Sequence, residues 1–547
     1  MDYNKVYSDW LCNCTEYKAQ LLTMKDEEIK SAFCTELTFG TAGLRGIMGA
    51  GTNRMNERVV RRASAGLADW LRGRCDSPSA VIAYDTRNNS RDFAEASARI
   101  LAGAGIKTYI FDRPAPVPLL SFAVRNLGCD AGIVITASHN RKEYNGYKVY
   151  NSIGGQITDK DADEILAEIR RHDYLSPLTV SDDIETVPER IRELYIKSVR
   201  DTVGAGASSA SVVYTPLNGS GRDYVTEVLK SMPVAELNCV EQQMPADGNF
   251  PTCPYPNPEK QEVYMLAEEI AAGCGADVCI ATDPDSDRMG AAVLTDGSYC
   301  KLSGNQVGEL MFDYILRCKS REKGGGRLPQ EAVAIKSFVS SPLTEEMGRA
   351  YGVKVKNVFT GFKNIALEME CLKAAGRDGD FLFGFEESLG YLYGDYTRDK
   401  DGIMACQMLC LMAAEQKAAG KTLTDRLEEI YEQYGYTESI TTALVYKQEK
   451  DRGRMLLLVK SLFAGGLKSC EHLGKAIKKE YCYRQQNMYC ADLEGGHRII
   501  IRPSGTELKL KIYIFAKGET RDEAIDKAAQ LCAMVRDRLE KEAGENG

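Results

Sequence analysis

Residues 131–140 read AGIVITASHN, a run of small and branched apolar residues that ends abruptly in polar ones. The apolar part, residues 131–135, has the length and composition of a buried β-strand. A hydroxyl, an imidazole and an amide come next, on Ser138, His139 and Asn140. Because ligands of open α/β sheets collect at the carboxyl ends of the strands, this junction is the first candidate for a functional site.

The stretches before this strand also alternate between apolar runs and helical segments. Residues 80–84 and 106–111 have the pattern of strands, and residues 118–126 that of a helix. Another helix is expected from an N-cap at Ser90, since a serine hydroxyl can accept a hydrogen bond from an unpaired N–H of the first turn. Strands separated by helices of this length predict a mostly parallel sheet.

The alternation recurs in two later parts of the chain, which open near residues 212 and 303. The end of the chain differs, because paired strands are predicted there, followed by one amphipathic helix over residues 520–542. A single hydrophobic core stops growing at about 250–300 residues, so a chain of 547 residues needs several domains. We therefore expect four domains, the first with an N-terminal helical extension, at residues 1–190, 191–302, 303–434 and 435–547.

Composition limits the partners and the compartment. The formal net charge of −9 disfavours nucleic acids and anionic membranes, which both favour a basic surface. The first residues lack the basic and apolar regions of a signal peptide, and no run of about 18 apolar residues occurs. We expect a cytoplasmic protein that binds neither membrane nor nucleic acid, although local arginines can still bind small anions.

The segment DPDSDR at residues 283–288 is the strongest candidate for a metal site. Asp283, Asp285 and Asp287 come after an apolar strand and can converge on one hard cation through oxygen ligands, as Mg²⁺ prefers. A calcium EF-hand is excluded, because Arg288 stands where that loop has glycine and Leu294 where it has glutamate. The alternative is an acidic surface turn, which the preceding apolar strand makes the weaker interpretation.

Two other classes of site are disfavoured. The junction at Ser138 lacks the form of a serine hydrolase, since Thr136 occupies the position of the glycine that precedes such a nucleophile. Lys148 comes after a short loop, so the chain can bring its side chain back over Ser138. A triphosphate-binding loop at residues 420–422 is not supported, because Glu415 stands where its first glycine is required.

Three turns supply further candidates: an arginine in TAGLRG (41–46), carboxylates in GFEES (384–388) and an anion nest in RPSGTE (502–507). Taken alone, each can also be a plain turn, and for GFEES a solvated acidic turn is the better explanation. Together with the serine and metal segments, in this order over residues 38–515, they resemble the α-D-phosphohexomutase family, which includes phosphoglucomutases and phosphomannomutases. The stretches TFGTAGLRG and GFEESLGY are most similar to the longer phosphoglucomutase branch, some members of which act on phosphopentoses.

The resemblance implies an α/β fold of three related domains with mixed sheets, plus a smaller C-terminal α+β domain of the TATA-box-binding-protein-like type, around a central cleft. It implies that Ser138 is phosphorylated and that Asp283, Asp285 and Asp287 bind Mg²⁺ with an oxygen of that phosphoserine. Other matching positions would handle the substrate proton (His139, Lys148), balance phosphate charge (Arg45, Arg288), face or grip the sugar (Lys363, Glu386, Ser388) and clamp the non-reacting phosphate (Arg502, Ser504, Gly505, Thr506).

The implied activity is interconversion of glucose 1-phosphate and glucose 6-phosphate, through glucose 1,6-bisphosphate, by a monomer or weak homodimer. Phosphopentomutase or phosphomannomutase activity on the same residues stays open, as do a magnesium-dependent phosphatase and a non-catalytic phosphosugar-binding protein. Tyr391 comes after the sugar loop where phosphomannomutase-like members often have histidine, which weakens the case for mannose specificity. The reactive positions of the family are all filled here, which favours catalysis over a silent protein.

Overall fold

The structure of the protein is a computed structural model that describes residues 2–40, 43–206, 209–232, 235–324, 328–329, 331–445, 450–463, 477–483, 487–503 and 509–545. The chain forms two compact units. The first comprises Met1–Met311, Ala332–Lys336 and Gly361–Leu423, and the second comprises Phe312–Glu331, Ser337–Thr360 and Thr424–Gly547.

The first unit begins with three short helices, α1 (Tyr3–Asn13), α2 (Lys18–Thr23) and α3 (Asp26–Phe33). They enclose a small apolar cluster of their own, in which Trp10, Leu21 and Phe33 are buried. The rings of Trp10 and Phe33 meet edge to face with centroids 5.6 Å apart. Such aromatic contacts stabilise these short helices, which would be marginal alone.

The next element is a six-stranded sheet of order β1-β5-β4-β2-β3-β6. Five strands run in the same direction, whereas β5 is antiparallel to both of its neighbours, β4 and β1. The expected mixed sheet is therefore confirmed. Its strands are β1 (Leu44–Ile47), β2 (Ser79–Tyr84), β3 (Lys107–Ile110), β4 (Ala131–Ile135), β5 (Tyr144–Asn151) and β6 (Ile184–Thr186), and its helices are α4 (Glu57–Arg72), α5 (Ser90–Gly103), α6 (Val117–Leu127), α7 (Asp159–Ile169) and α8 (Glu189–Val203).

The prediction of Ser90 as an N-cap is wrong by one residue. Helix α5 begins at Ser90, and Asn89 precedes it with φ 63° and no side-chain capping bond. The Ser90 hydroxyl instead donates a 2.6 Å hydrogen bond to Oδ1 of Asp85. A buried carboxylate needs donors, and this requirement outweighs the capping preference of serine.

The second sheet has the order β11-β10-β9-β7-β8, with β7 parallel to β8 and β9, and β10 antiparallel to β9. In a third sheet, β12 is parallel to β14, and β15 is antiparallel to β14. The elements along this stretch of chain, of which α12, β13 and the part of α11 after Met311 belong to the second unit, are β7 (Ala210–Thr215), α9 (Gly221–Lys230), β8 (Ala235–Cys239), α10 (Met265–Cys274), β9 (Val278–Thr282), β10 (Met289–Thr295), β11 (Ser298–Lys301), α11 (Gly304–Glu322), β12 (Val333–Ser337), α12 (Leu343–Tyr351), β13 (Lys354–Val358), α13 (Phe362–Ala374), β14 (Phe381–Glu386), β15 (Gly390–Leu392) and α14 (Gly402–Ala418).

The second unit contains a five-stranded sheet of order β16-β20-β19-β18-β17, antiparallel throughout. The long C-terminal helix packs on it and buries Ala528, Val535 and Leu539 with Ile499 and Ile514. The predicted pair of strands and the helix after them are confirmed. The elements are α15 (Leu423–Tyr434), β16 (Tyr436–Val445), α16 (Lys450–Ser461), β17 (Ile477–Tyr483), β18 (Met488–Leu493), β19 (Arg498–Pro503), β20 (Lys509–Gly518) and α17 (Arg521–Glu545).

None of the helices within the described ranges has the length and apolar character needed to cross a bilayer. Three strand ends of the first unit carry residues that the sequence predicts to be functional. Ser138 lies just beyond β4, Asp283 is the residue after β9, and Glu386 is the last residue of β14. The sheets therefore present side chains from three separate parts of the chain.

We expect Gly66→Ala to destabilise the protein even though alanine is the better helix former. A Cβ at Gly66, inside α4, would lie 2.5 Å from the backbone nitrogen of Ile169 in α7. Separating these helices should cost about 1–3 kcal/mol, more than the roughly 1 kcal/mol that helix propensity contributes. Thermal unfolding followed by circular dichroism measures the change.

Gly273→Ala is the matched control, because Gly273 is an exposed helical glycine in α10 with nothing within 4 Å of an added Cβ. At this position the substitution changes helix propensity alone, so the thermal unfolding midpoint should equal that of the unmodified protein or lie slightly above it. Equal effects of the two substitutions would contradict close packing of α4 against α7.

Candidate active site

Three buried carboxylates occupy the turn between β9 and β10. Asp283, Asp285 and Asp287 each offer an oxygen, and these oxygens lie within 4.8 Å of one another. The turn is tight, since Ser286 within it adopts φ 54°. Like charges buried this close together are unfavourable unless positive charge is brought to them.

The hydroxyl of Ser138 reaches this turn from another part of the chain. Its Oγ donates to Oδ2 of Asp283 over 2.9 Å, and both residues are buried. Ser138 adopts φ 53°, and its backbone N–H donates to Oγ1 of Thr136 over 2.8 Å. The structure thus brings together the serine and the acids that the sequence analysis singled out.

Two lysines supply positive charge. Nζ of Lys148, on β5, lies 2.9 Å from Oδ2 of Asp285. Nζ of Lys400 lies 2.8 Å from Oδ2 of Asp287 and 3.3 Å from Oδ1 of Asp399. Sequence reasoning missed Lys400. Its place in a polar run before the apolar helix α14 gives no signal that the side chain is buried.

The remaining oxygens test whether a metal ion fits. Oδ1 of Asp285 and Oδ1 of Asp287 are buried and have no hydrogen-bond partner among the residues that the structure describes. Each of these acids gives its other oxygen to a lysine, whereas Asp283 accepts from Ser138 and from the backbone N–H of Arg288, the latter over 3.1 Å. Unpaired buried carboxylate oxygens are what a hard divalent cation would bind, so the residues fit such an ion.

The charges of the acids respond to their surroundings. Burial and then the negative charges of Asp285 and Asp287 raise the pKa of Asp283 well above its ordinary value. Burial alone would raise the pKa of Asp285 as well, but the ammonium of Lys148 brings it below its usual range. One acid of the turn is therefore held ionised while its neighbour resists ionisation.

His139 is placed to exchange a proton with the serine. Its Nδ1 lies 3.1 Å from Oγ of Ser138. Burial, and then the positive charges of Arg288 and Arg45, lowers the pKa of His139 well below its ordinary value. A neutral imidazole beside a hydroxyl can accept a proton, which is the usual requirement for a general base.

The two arginines approach this region from different sides. Nη1 of Arg45, on β1, lies 3.5 Å from Oδ1 of Asn140. Asn140 belongs to the connection between β4 and β5, residues 136–143, which we call the serine loop. Arg288 comes directly after the acidic turn and lies 3.6 Å from Glu259 and 3.8 Å from Asp287. Both bring positive charge to the surroundings of Ser138.

The turn after β14 lies against the strand that comes after the acids. The backbone N–H of Met289 donates to the carbonyl of Leu389 over 3.1 Å. Glu386 accepts from the backbone N–H of Gly361 over 2.7 Å and helps to raise the pKa of Lys400, after Asp287 and Asp399. Ser388 is half-buried in the same turn.

Two further predicted residues have partners outside the set described so far. Lys363, at the start of α13, pairs with Asp159 at 2.8 Å, and its side chain is 15% exposed. Arg502 belongs to the second unit, near the end of β19, where Nη2 donates to the hydroxyl of Tyr513 over 3.1 Å. The predicted clamp residues Ser504, Gly505 and Thr506 lie outside the described residues.

Three models of one protein family match most of the chain. A model described as phosphoglucomutase/phosphomannomutase, alpha/beta/alpha domain I, matches residues 36–176. The models for domains II and III of the same family match residues 193–297 and 303–434.

Individual relatives are similar over nearly their whole length. A phosphoglucomutase of Staphylococcus aureus strain N315 is 36% identical over 536 residues, which is 93% of this chain and 94% of the relative. A phosphoglucomutase of Staphylococcus haemolyticus is 34% identical over 535 residues, with the same coverage.

Solved structures share the fold. A phosphoglucomutase/phosphomannomutase family protein from Burkholderia thailandensis has a TM-score of 0.70 at 18% identity and covers 92% of this chain and 97% of its own. The open form of parafusin from Paramecium has a TM-score of 0.68 at 16% identity, with coverage of 92% and 96%. At these identities the likeness concerns the fold alone.

We expect Asp285→Asn to weaken divalent-cation binding at least about tenfold, because it removes a charged oxygen from the cluster. Mn²⁺ binding to the full-length protein, monitored by electron paramagnetic resonance, measures this directly. Asp223→Asn is the control, since Asp223 is an exposed carboxylate in the first turn of α9. Unchanged Mn²⁺ affinity in Asp285→Asn would show that the acids do not hold the ion.

Proposed function

The chain belongs to the phosphoglucomutase/phosphomannomutase family, and we propose that it interconverts glucose 1-phosphate and glucose 6-phosphate through a phosphorylated Ser138 and glucose 1,6-bisphosphate. One observation carries the proposal for the reacting group. The hydroxyl of Ser138 lies 2.9 Å from Asp283, at the edge of three buried acids and beside an imidazole. The curated relatives named as phosphoglucomutases support the choice of glucose.

We propose Mg²⁺ as the ion held by Asp283, Asp285 and Asp287, together with an oxygen of phosphorylated Ser138. All the proposed ligand atoms are hard oxygens, which bind Mg²⁺ in preference to softer metal ions. When bound, such an ion supplies positive charge to the oxygens of the phosphoryl group.

The transfer itself can be assigned to residues of this chain. A free hydroxyl of the sugar phosphate forms a bond to phosphorus while the bond to Oγ of Ser138 breaks. The sugar hydroxyl gives up its proton and Oγ gains one, so the protons balance. His139 is the group best placed to relay that proton, because its Nδ1 lies 3.1 Å from Oγ.

Lys148 is better suited to holding charge. Its ammonium is engaged by Asp285 at 2.9 Å and is largely buried. Phosphoryl transfer depends chiefly on positioning and on cations near the phosphoryl oxygens, and Lys148, Arg45 and Arg288 supply such charges.

The reverse half of the cycle returns the other phosphoryl group of the bisphosphate to Ser138. One serine can serve both ends of the sugar only if the bisphosphate binds in two orientations. We propose that Glu386, Ser388 and Lys363 contact the sugar phosphate, and that the non-reacting phosphate is bound by Arg502, Ser504, Gly505 and Thr506.

Ser138→Ala should abolish isomerisation, with kcat lowered by at least about 10³-fold, because no group remains to carry the phosphoryl. A coupled assay for glucose 6-phosphate measures the rate, and intact-mass spectrometry shows whether phosphate is still carried. Ser97→Ala is the control, since Ser97 is a buried serine whose hydroxyl donates within its own helix to the carbonyl of Phe93. Near-normal turnover of Ser138→Ala would refute the phosphoserine assignment.

Glucose 1-phosphate should be the preferred substrate in a panel with mannose, ribose and deoxyribose 1-phosphates, each assayed with its own bisphosphate. The comparison is of kcat/KM, which measures discrimination between competing substrates. A higher kcat/KM for a pentose or mannose phosphate would contradict glucose specificity while leaving the mutase chemistry in place.

A further inference from the structure

Arg87 is a buried arginine behind the serine loop that the sequence analysis did not single out. It lies shortly after β2, and its side chain is fully shielded from solvent. The ring of Phe250 covers the guanidinium, with 5.0 Å between its central carbon and the ring centroid. An arginine is rarely buried to this extent unless its donors are used.

The donors of Arg87 are directed at one loop. Nη2 donates to the carbonyls of Ser138 and Asn140, and Nη1 donates to the carbonyls of Arg141 over 2.9 Å and Tyr144 over 3.3 Å. Three of these carbonyls lie in the connection between β4 and β5, and the fourth belongs to Tyr144, the first residue of β5. A single planar fork therefore fixes the backbone on both sides of His139, which a lysine could not do.

Asp85 holds the guanidinium from the other side. Oδ2 of Asp85 lies 3.2 Å from Nε of Arg87 and 2.6 Å from Oγ1 of Thr136. Oγ1 of Thr136 in turn accepts the backbone N–H of Ser138. Arg87, Asp85 and Thr136 thus hold both the N–H and the carbonyl of Ser138.

The conformation of Ser138 explains why such a hold is needed. Its φ of 53° is one that serine disfavours and keeps only where the surroundings impose it. Relaxation to an ordinary φ would turn Oγ away from Asp283, to which it now donates over 2.9 Å.

We propose that Arg87, acting with Asp85 and Thr136, is a positioning residue for phosphoryl transfer to and from Ser138. It acts through the backbone of the serine loop and takes no part in binding the sugar. Loss of this hold should slow the transfer step and leave KM for the sugar phosphate unchanged. The inference rests on the proposed function, because it needs Ser138 to be the group that is phosphorylated.

Arg87→Lys, in the full-length protein, is the direct test. The rate of phosphoryl transfer from glucose 1,6-bisphosphate to Ser138 is measured by rapid quench and intact mass, beside kcat and KM for glucose 1-phosphate. We expect transfer and kcat to fall at least about tenfold with KM within about twofold, since misplacing a reacting atom slows the step without removing binding contacts. Arg91→Lys is the control, because Arg91 is exposed and pairs with Glu95 at 2.8 Å.

A second pair of variants keeps the test decisive if Arg87→Lys folds poorly. Thr136→Val keeps the shape of the side chain and removes the hydroxyl, whereas Thr136→Ser keeps the hydroxyl. We expect slow transfer in Thr136→Val and rescue in Thr136→Ser. A normal rate of phosphoryl transfer in Thr136→Val would overturn the inference. So would a defect that appears as a raised KM for glucose 1-phosphate with kcat unchanged. Absence of isomerisation by the unmodified protein would overturn the proposed function, and with it this inference.

Discussion

Three carboxylates buried in one turn are the constraint on which the rest of the site depends. Water cannot stabilise Asp283, Asp285 and Asp287 there, so the fold has to bring positive charge to them. Lys148 and Lys400 come from two distant segments, and their ammonium groups lie 2.9 Å from Asp285 and 2.8 Å from Asp287. The negative charge of the acids therefore favours the packing of β5 and of the segment before α14 against this turn, because each segment carries one of the two lysines.

Close backbone contacts make this approach possible. The N–H of Gly402 donates to the carbonyl of Ser286 over 3.2 Å, and a Cβ at Gly402 would lie 2.7 Å from that oxygen. A Cβ at Gly219 would lie 2.5 Å from Cα of Pro284. Two glycines from different elements thus allow the acidic turn to be enclosed by main chain, and any larger side chain would push the turn outward.

The sequence predicts the features that rest on strong local patterns. The strand over residues 131–135 is found with the predicted bounds, because a short apolar run that ends in polar residues leaves little choice. The acidic turn can also be recognised from sequence, because its acids come directly after a short apolar strand. Strand β5 cannot be recognised in this way. Its sequence, YNGYKVYN, is rich in polar and glycine residues and lacks the pattern of a buried strand, although most of it is buried.

Arg87 and Lys400 could not be predicted for a different reason. Each is a charged residue in a polar stretch, which by itself is typical of solvated surface. Their burial results from partners that are close only in the folded chain, such as Asn140 for Arg87 and Asp287 for Lys400. Local pattern contains no information on such contacts, and family resemblance supplied only the residues that lie in its motifs.

Strands β4 and β5 form a hairpin in which Val134 pairs with Lys148, and Ser138 lies in the connection between them. The oxygen proposed to carry the phosphoryl group and one compensating ammonium therefore belong to a single hairpin. The acids come after β9, a strand of another sheet, so the site is complete only where the connection of this hairpin meets that turn.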